Sequence, residues 1–173
     1  MSNRKTQMEK AHALGIEYES TYTGCAQCVF AALQDALDMR NDETDAIFKA
    51  ASGLSGGVGN EGDGHCGAYT GGVLLMGHII GRVRDEFADP KELRKQTNAL
   101  SQALHARFIE KYGTVTCQNI HRKIFGRPFY LPDPEEREKF ERAGGHEDKC
   151  PAVVGDAAGW TVQILHENGY LKD

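Results

Sequence analysis

The sequence predicts an all-α fold: a single-domain bundle of six to eight helices around a central glycine-rich loop. Three observations carry that expectation. Apolar residues recur at three- and four-residue intervals along most of the chain. Cap residues, prolines and glycines stand where those periodic stretches begin and end. No stretch alternates apolar with polar, and the β-branched run Thr114 to Thr116 has neither alternation nor a partner. A chain of 173 residues holds one good-sized core and is short for two, so 1–173 is read as one domain.

The elements follow in order. From about Thr6 to Ser20, Met8, Ala11, Leu14 or Gly15, and Tyr18 share one helical face. Thr21 to Gly24 breaks it, and a second helix opens at Cys25 with Cys28, Val29, Ala32, Leu33 and Ala36 on one stripe. Asn41 or Asp42 caps a short third helix over ETDAIFKAAS.

The stretch Gly53 to Gly81 organises the rest, with eleven of the twenty glycines and Cys66 at its middle. Up to Gly64 no apolar period survives, which reads as a loop using backbone conformations closed to other residues. Beyond Cys66 the four-residue spacings Gly67/Gly71 and Gly77/Gly81, among Val73, Leu74, Leu75, Met76, Ile79 and Ile80, read as a buried helix that neighbours approach closely.

Asp89-Pro90 then reads as an N-cap with proline at the first helical position of a long helix that stops at Tyr112-Gly113. Thr116 reads as the cap of a helix from Cys117 through Ile120 and Ile124 to Gly126. Arg127 to Gly145, with three prolines and the run EEREKFER, reads as a solvated short helix between loops. The last helix follows Cys150-Pro151, which puts Cys150 at an N-cap, and it ends at Gly169.

Composition bounds the function. A formal net charge of -5 with no basic cluster argues against nucleic acid as a partner. The longest apolar stretch is too short to span a bilayer, and MSNRKTQMEK lacks the apolar run of a secretory signal, so the expected compartment is the cytoplasm. Structural disulfides are rare there. The five cysteines, an odd number, therefore favour metal ligation or redox chemistry.

Cys25, Cys66, Cys117 and Cys150 all fall at expected helix starts. Unpaired amides and the positive end of the helix dipole favour thiolates there. If the four ends converge, they suit an iron–sulfur cluster or reducible disulfides.

Several other patterns carry less. Cys25-x-x-Cys28 lacks the βαβ context of a thioredoxin-like motif, and Val29 stands where haem attachment needs His, so Cys28 reads first as a packed residue with its role open. Gly57, Gly59 and Gly62 match G-x-G-x-x-G, but the preceding residues read as helix, so the match is chance. His65, His146 and Lys149 stand close enough to cysteines to lower a thiol pKa. His78 reads as a core histidine. His12, His105, His121 and His166 carry no specific signal.

Cys25-Ala26-Gln27, the glycines Gly53 to Gly59, Cys66-Gly67-Ala68-Tyr69-Thr70-Gly71, Cys117 after Tyr112-Gly113, and the late Cys150 together resemble the C_GCAxxG_C_C family of redox-active proteins. The resemblance spans roughly Gly24 to Val154. It implies a small helical protein whose active groups are Cys25, Cys66, Cys117 and Cys150. The family is similar to the non-haem part of split-Soret cytochromes, which implies an iron–sulfur cluster. Haem does not carry over, because no C-x-x-C-H is present. Cys28 departs from the pattern.

Three functions follow as expectations. In the first, an electron carrier or oxidoreductase holds an iron–sulfur cluster, [2Fe–2S], on Cys25, Cys66, Cys117 and Cys150 and works with a redox partner protein. In the second, a metal-free dithiol protein uses Cys66 as the attacking thiol. In the third, a helical module, a homodimer through its glycine face, keeps the cysteines in its core.

Overall fold

Helices α1 (Asn3–Tyr22) and α8 (Cys150–Glu167) begin and end the fold and lie side by side in the computed structural model. It describes residues 3–172, so the outermost positions of the expected 1–173 domain lie outside the described residues. The two helices come close because glycines meet at the crossing. A Cβ on Gly15 would stand 3.1 Å from Gly155 Cα, and one on Gly155 would stand 2.9 Å from the His12 carbonyl oxygen. The buried face of α1 is Ala11, Gly15 and Glu19, every fourth residue.

Six further α-helices complete the bundle: α2 (Cys25–Ala36), α3 (Asp42–Ala50), α4 (Gly67–Ile80), α5 (Leu93–Tyr112), α6 (Cys117–Phe125) and α7 (Pro134–Arg142). The all-α expectation holds: no strand occurs among the described residues, and one isolated bridge joins His65 to Thr116. Helix α8 is the centre. It packs against α1, α2, α4 and α5, and its Val154, Ala157, Val162 and Leu165 meet Phe30 and Leu33 of α2, Leu75 of α4, and Leu104 and Phe108 of α5 in one apolar core.

The glycines of α4 are used inside the chain. A Cβ on Gly71 would stand 2.9 Å from Val29 Cβ, and one on Gly72 would stand 2.8 Å from Leu104 Cδ2. The close approach read from the Gly67/Gly71 spacing is therefore to α2, and neighbouring Gly72 is approached by α5 and α8. The approach read from Gly77/Gly81 does not occur: a Cβ on Gly77 meets nothing within 4 Å and one on Gly81 meets only the backbone of Gly77.

Local chemistry explains the ends. Asn41 and Thr44 form a reciprocal capping box at α3. Helix α5 begins later than Asp89-Pro90 suggests. Asp89 still caps it from a distance, its carboxylate accepting from the amides of Leu93 at 2.8 Å and Arg94 at 3.0 Å, while Glu92 turns left-handed to let the chain in. Thr116 makes no side-chain cap bond at α6. Cys150 is not at a free helix end either, because a π-helical turn, Gly145–Lys149, runs directly into α8.

Candidate functional site

Cys25, Cys66, Cys117 and Cys150, from four separate parts of the chain, line one cavity of about 270 Å³. The elements that bring them together are local. The backbone ahead of Cys66 pairs with the backbone ahead of Cys117: the Cys66 amide donates to Val115 carbonyl oxygen at 2.8 Å and the Cys117 amide to Gly64 at 3.0 Å. That pairing places two cysteines side by side and uses the amides of both.

Cys25 is set against Cys66 by a missing side chain. Gly67 begins α4, and a Cβ there would collide with Cys25 Sγ and stand 2.9 Å from the Ala26 amide nitrogen. Glycine at this point lets the first turn of α2 lie on the first turn of α4, so the Cys25 thiol comes close enough to Cys66 for that thiol to be the largest influence on its pKa. The Gly56 amide donates to Cys25 from the other side.

Gly56 opens an unusual turn. Gly56, Gly57, Val58, Gly59 and Asn60 all have positive φ, between 59° and 80°, a left-handed coil against one edge of the cavity. Left-handed backbone costs an L-residue about 1–2 kcal/mol, so the strain falls on Val58 and Asn60. Strain of this kind is kept where the surroundings enforce it, often beside a functional site.

The other part of the lining, a second wall, is made of longer side chains: Glu19 from the end of α1, His121 from α6, Arg137, Phe140 and Glu141 from α7, and His146 from the π-helical turn. The segment read as a solvated helix is therefore a wall of the site, with Phe140 buried. The His121 ring is 3% exposed, lies against Phe140 with centroids 5.3 Å apart, and presents Nε2 to Cys117 Sγ at 3.9 Å and Cys150 Sγ at 4.0 Å. Its Nδ1 is buried without a partner. Glu19 is 2% exposed, and its Oε2 is likewise unpartnered.

The electrostatics keep Cys25, Cys117 and Cys150 protonated. Donation of the Cys25 proton toward Cys66, and then burial, push Cys25 well above the ordinary thiol range. Burial pushes Cys117 up to about 12 and raises Cys150 too, with Glu19 adding to the latter. Burial lowers His121 to about 4, so its imidazole is neutral. Burial raises the Glu19 carboxyl.

The other expected residues separate from the cavity. Cys28 is buried in α2 and donates its thiol to the Thr23 carbonyl oxygen at 3.1 Å, holding the α1–α2 corner. His65 stands edge-on to the Tyr69 ring at 5.6 Å. Lys149 pairs with Asp148 at 3.2 Å, and His78 in α4 approaches Glu43 of α3 at 3.7 Å. Of the histidines and lysine flagged beside cysteines, only His146 reaches the cavity. Two signals for the second wall were present in the sequence. Glu19 sits on the small-residue stripe of α1, and His121 follows Cys117 by one helical turn.

Four soft thiols around one cavity are the donor set of an iron–sulfur centre or of two reducible pairs. All five cysteines are free thiols. Among the described residues, no three His, Cys, Asp or Glu side chains are gathered as one metal ion would need. No helix among them is long and apolar enough to cross a membrane.

A family model described as "Putative redox-active protein (C_GCAxxG_C_C)" matches residues 23–164. No curated protein and no solved structure matches the chain.

Proposed function

Because the chain belongs to this C_GCAxxG_C_C family of redox-active proteins, we propose that it is an electron carrier holding an iron–sulfur cluster, [2Fe–2S], on Cys25, Cys66, Cys117 and Cys150. The observation that carries the reading is the meeting of four thiols from four elements at one cavity. A two-iron centre takes two thiolates per iron, so a cavity walled by pairs suits it better than a trio gathered on one ion. Cys25 with Cys66 make one pair; Cys117 and Cys150, both within 4.0 Å of the same His121 nitrogen, make the other. Such a cluster supplies reversible one-electron storage.

The residues of the chain do the rest. Ligation requires thiolates, so binding would draw protons from Cys25, Cys117 and Cys150, whose thiols their surroundings hold protonated. The Gly56 amide favours negative charge on Cys25. Phe140 and the α7 wall limit water, and solvent access is one of the factors that would set the potential of a group held there. A reducing compartment, the cytoplasm, and a soluble redox partner protein complete the reading.

The Cys25–Cys66 thiol contact favours a second reading, a dithiol that closes to a disulfide. Oxidation would join the two sulfurs and pass two electrons and two protons to a partner's disulfide, which becomes two thiols. The raised Cys25 thiol makes this slow at neutral pH.

Anaerobic purification, iron and sulfide analysis, and a visible spectrum decide between them. Stoichiometric iron and sulfide, lost in Cys66→Ser and Cys117→Ser alike, support the cluster. Colourless protein after anaerobic reconstitution, with a mass-mapped and reducible Cys25–Cys66 disulfide, rejects it in favour of the second.

A further inference from the structure

We propose that Val58 and Tyr130, with the carboxylates of Glu61, Asp63 and Asp133 around them, form the surface on which a cationic redox protein docks to exchange electrons with the cysteine cavity. The proposal deepens the electron-carrier reading and rests on it for what crosses the surface, not for where the surface lies.

Val58 has φ 67°, where a β-branched residue is an outlier, and it is 51% exposed. Its strain is therefore not offset by burial. Glycine, which stands on both sides of it, would remove the strain at once. Strain kept without a packing gain points to a use at the surface.

Glu61 ties Val58 to Tyr130. The Glu61 amide donates to the Val58 carbonyl oxygen at 3.3 Å, and the Glu61 carboxylate accepts from the Tyr130 hydroxyl at 3.1 Å. Tyr130 is also 51% exposed, so two large apolar side chains left in solvent share one patch, the aromatic one held by its hydroxyl. A tethered tyrosine loses little freedom on binding and makes a good interface anchor. The patch borders the redox site, because Asn60, between Val58 and Glu61, and Leu131, next to Tyr130, both line the cavity. A protein seated there lies over the cavity's edge.

Charge selects the partner. Glu61, Asp133 and Asp63 all act electrostatically on the Tyr130 hydroxyl, and the chain as a whole carries a formal net charge of -5. Of the arginines on the flanking elements, Arg127 is paired with Glu136, whereas Arg122 and Arg137 donate to neutral oxygens of Asn119, Gln118 and Leu131. These two make the outer rim mixed at α6 and α7; at Tyr130 itself the carboxylates prevail. An apolar centre among carboxylates matches a partner whose own apolar centre is rimmed by lysines. In the exchange, one electron leaves the reduced site and the partner's acceptor centre gains it, with no bond formed or broken.

The test measures affinity for two probes, a lysine-rich c-type cytochrome and an acidic flavodoxin, by calorimetry on the full chain as purified anaerobically. The cytochrome binds, more weakly as salt rises, and the flavodoxin does not. Tyr130→Ala and Val58→Ala each weaken that binding by about tenfold or more, as loss of an interface anchor does. Asp63→Asn weakens it several-fold and flattens its salt dependence. Glu43→Gln, which removes the same charge beside His78 at the other end of α4, leaves it unchanged. In iron-loaded protein, Tyr130→Ala and Val58→Ala slow one-electron reduction of the cytochrome haem by a like factor below saturation. No binding of the cytochrome, tighter binding of the flavodoxin, equal losses in Asp63→Asn and Glu43→Gln, or full affinity in Tyr130→Ala overturns the proposal. So does self-association of the wild type that Tyr130→Ala abolishes, because a second copy is then the occupant. Variants that lose affinity but keep the electron-transfer rate reject the patch as the point of exchange. Protein that takes up no iron rejects the cluster and leaves the affinity arm to decide the surface.

Discussion

The two walls of the cavity are built on opposite plans. The thiol wall is mostly backbone: the bridge between His65 and Thr116, the left-handed coil from Gly56 to Asn60, and Gly67 beneath Cys25, where even one added carbon collides. The second wall is side chain, with Phe140, His121, Glu19 and His146 reaching in from α7, α6, α1 and the π-helical turn. A backbone wall fixes sulfur positions and tolerates no added volume. A side-chain wall sets polarity and water access and fails when volume is removed.

The largest effect should therefore come from emptying the second wall. Phe140→Ala should cost about 3–5 kcal/mol, measured by chemical denaturation of metal-free protein. A loss below about 1 kcal/mol would mean that the α7 wall is not packed as described.

A smaller effect comes from the charge state of that wall. His121 has a folded pKa of about 4, depressed from 6.5, so the folded state resists a proton that the unfolded chain accepts. Stability from this group is full above the unfolded value and is lost as pH falls from about 6.5 to about 4. Burial supports treating the shift as a real difference of about 3 kcal/mol. In metal-free protein, wild type should gain on His121→Phe by about that amount between the two ends of the window. Comparing the pair cancels Glu19, whose raised pKa acts in the opposite sense, its stability fading as pH rises. A constant difference across the window would break the assignment.

On the backbone wall, Gly67→Ala should cost about 1–3 kcal/mol by denaturation, since the obstacle includes the Ala26 amide as well as a sulfur. It should also separate Cys25 from Cys66, read as a slower disulfide closure under mild oxidant. Val58→Gly runs the other way. The exposed valine side chain makes little of the core and sits at φ 67°, so removing it should leave stability unchanged or raise it by up to about 1 kcal/mol.

The thiol wall was legible in the sequence because its information is local. A cysteine after a turn, followed by apolar residues at helical spacing, marks a helix start, and Cys66-Gly67 with Gly71 marks close contact without naming the partner. That the four starts meet is tertiary information, and no spacing encodes it. The second wall was legible only in fragments. Phe140 is embedded in EEREKFER, where the seven remaining residues are all charged and read as solvent-facing, so its burial carries no local signal. The helix starts expected at Cys66, Cys117 and Cys150 are present, but their open amides were legible only in part. Neighbouring carbonyls take the Cys66, Cys117 and Gln118 amides, and a π-helical turn runs into α8, all set by pairing beyond the helix itself.

The short lacing of 64–66 to 115–117 carries a mechanical corollary. With each segment giving an amide to the other, neither sulfur at that seam can be displaced alone. A push on α6 from the surface, whether from a docking protein or from a change of charge in the cavity, is handed across to α4 and so to the glycine coil. Hydrogen exchange should therefore release the Cys66 and Cys117 amides as one event.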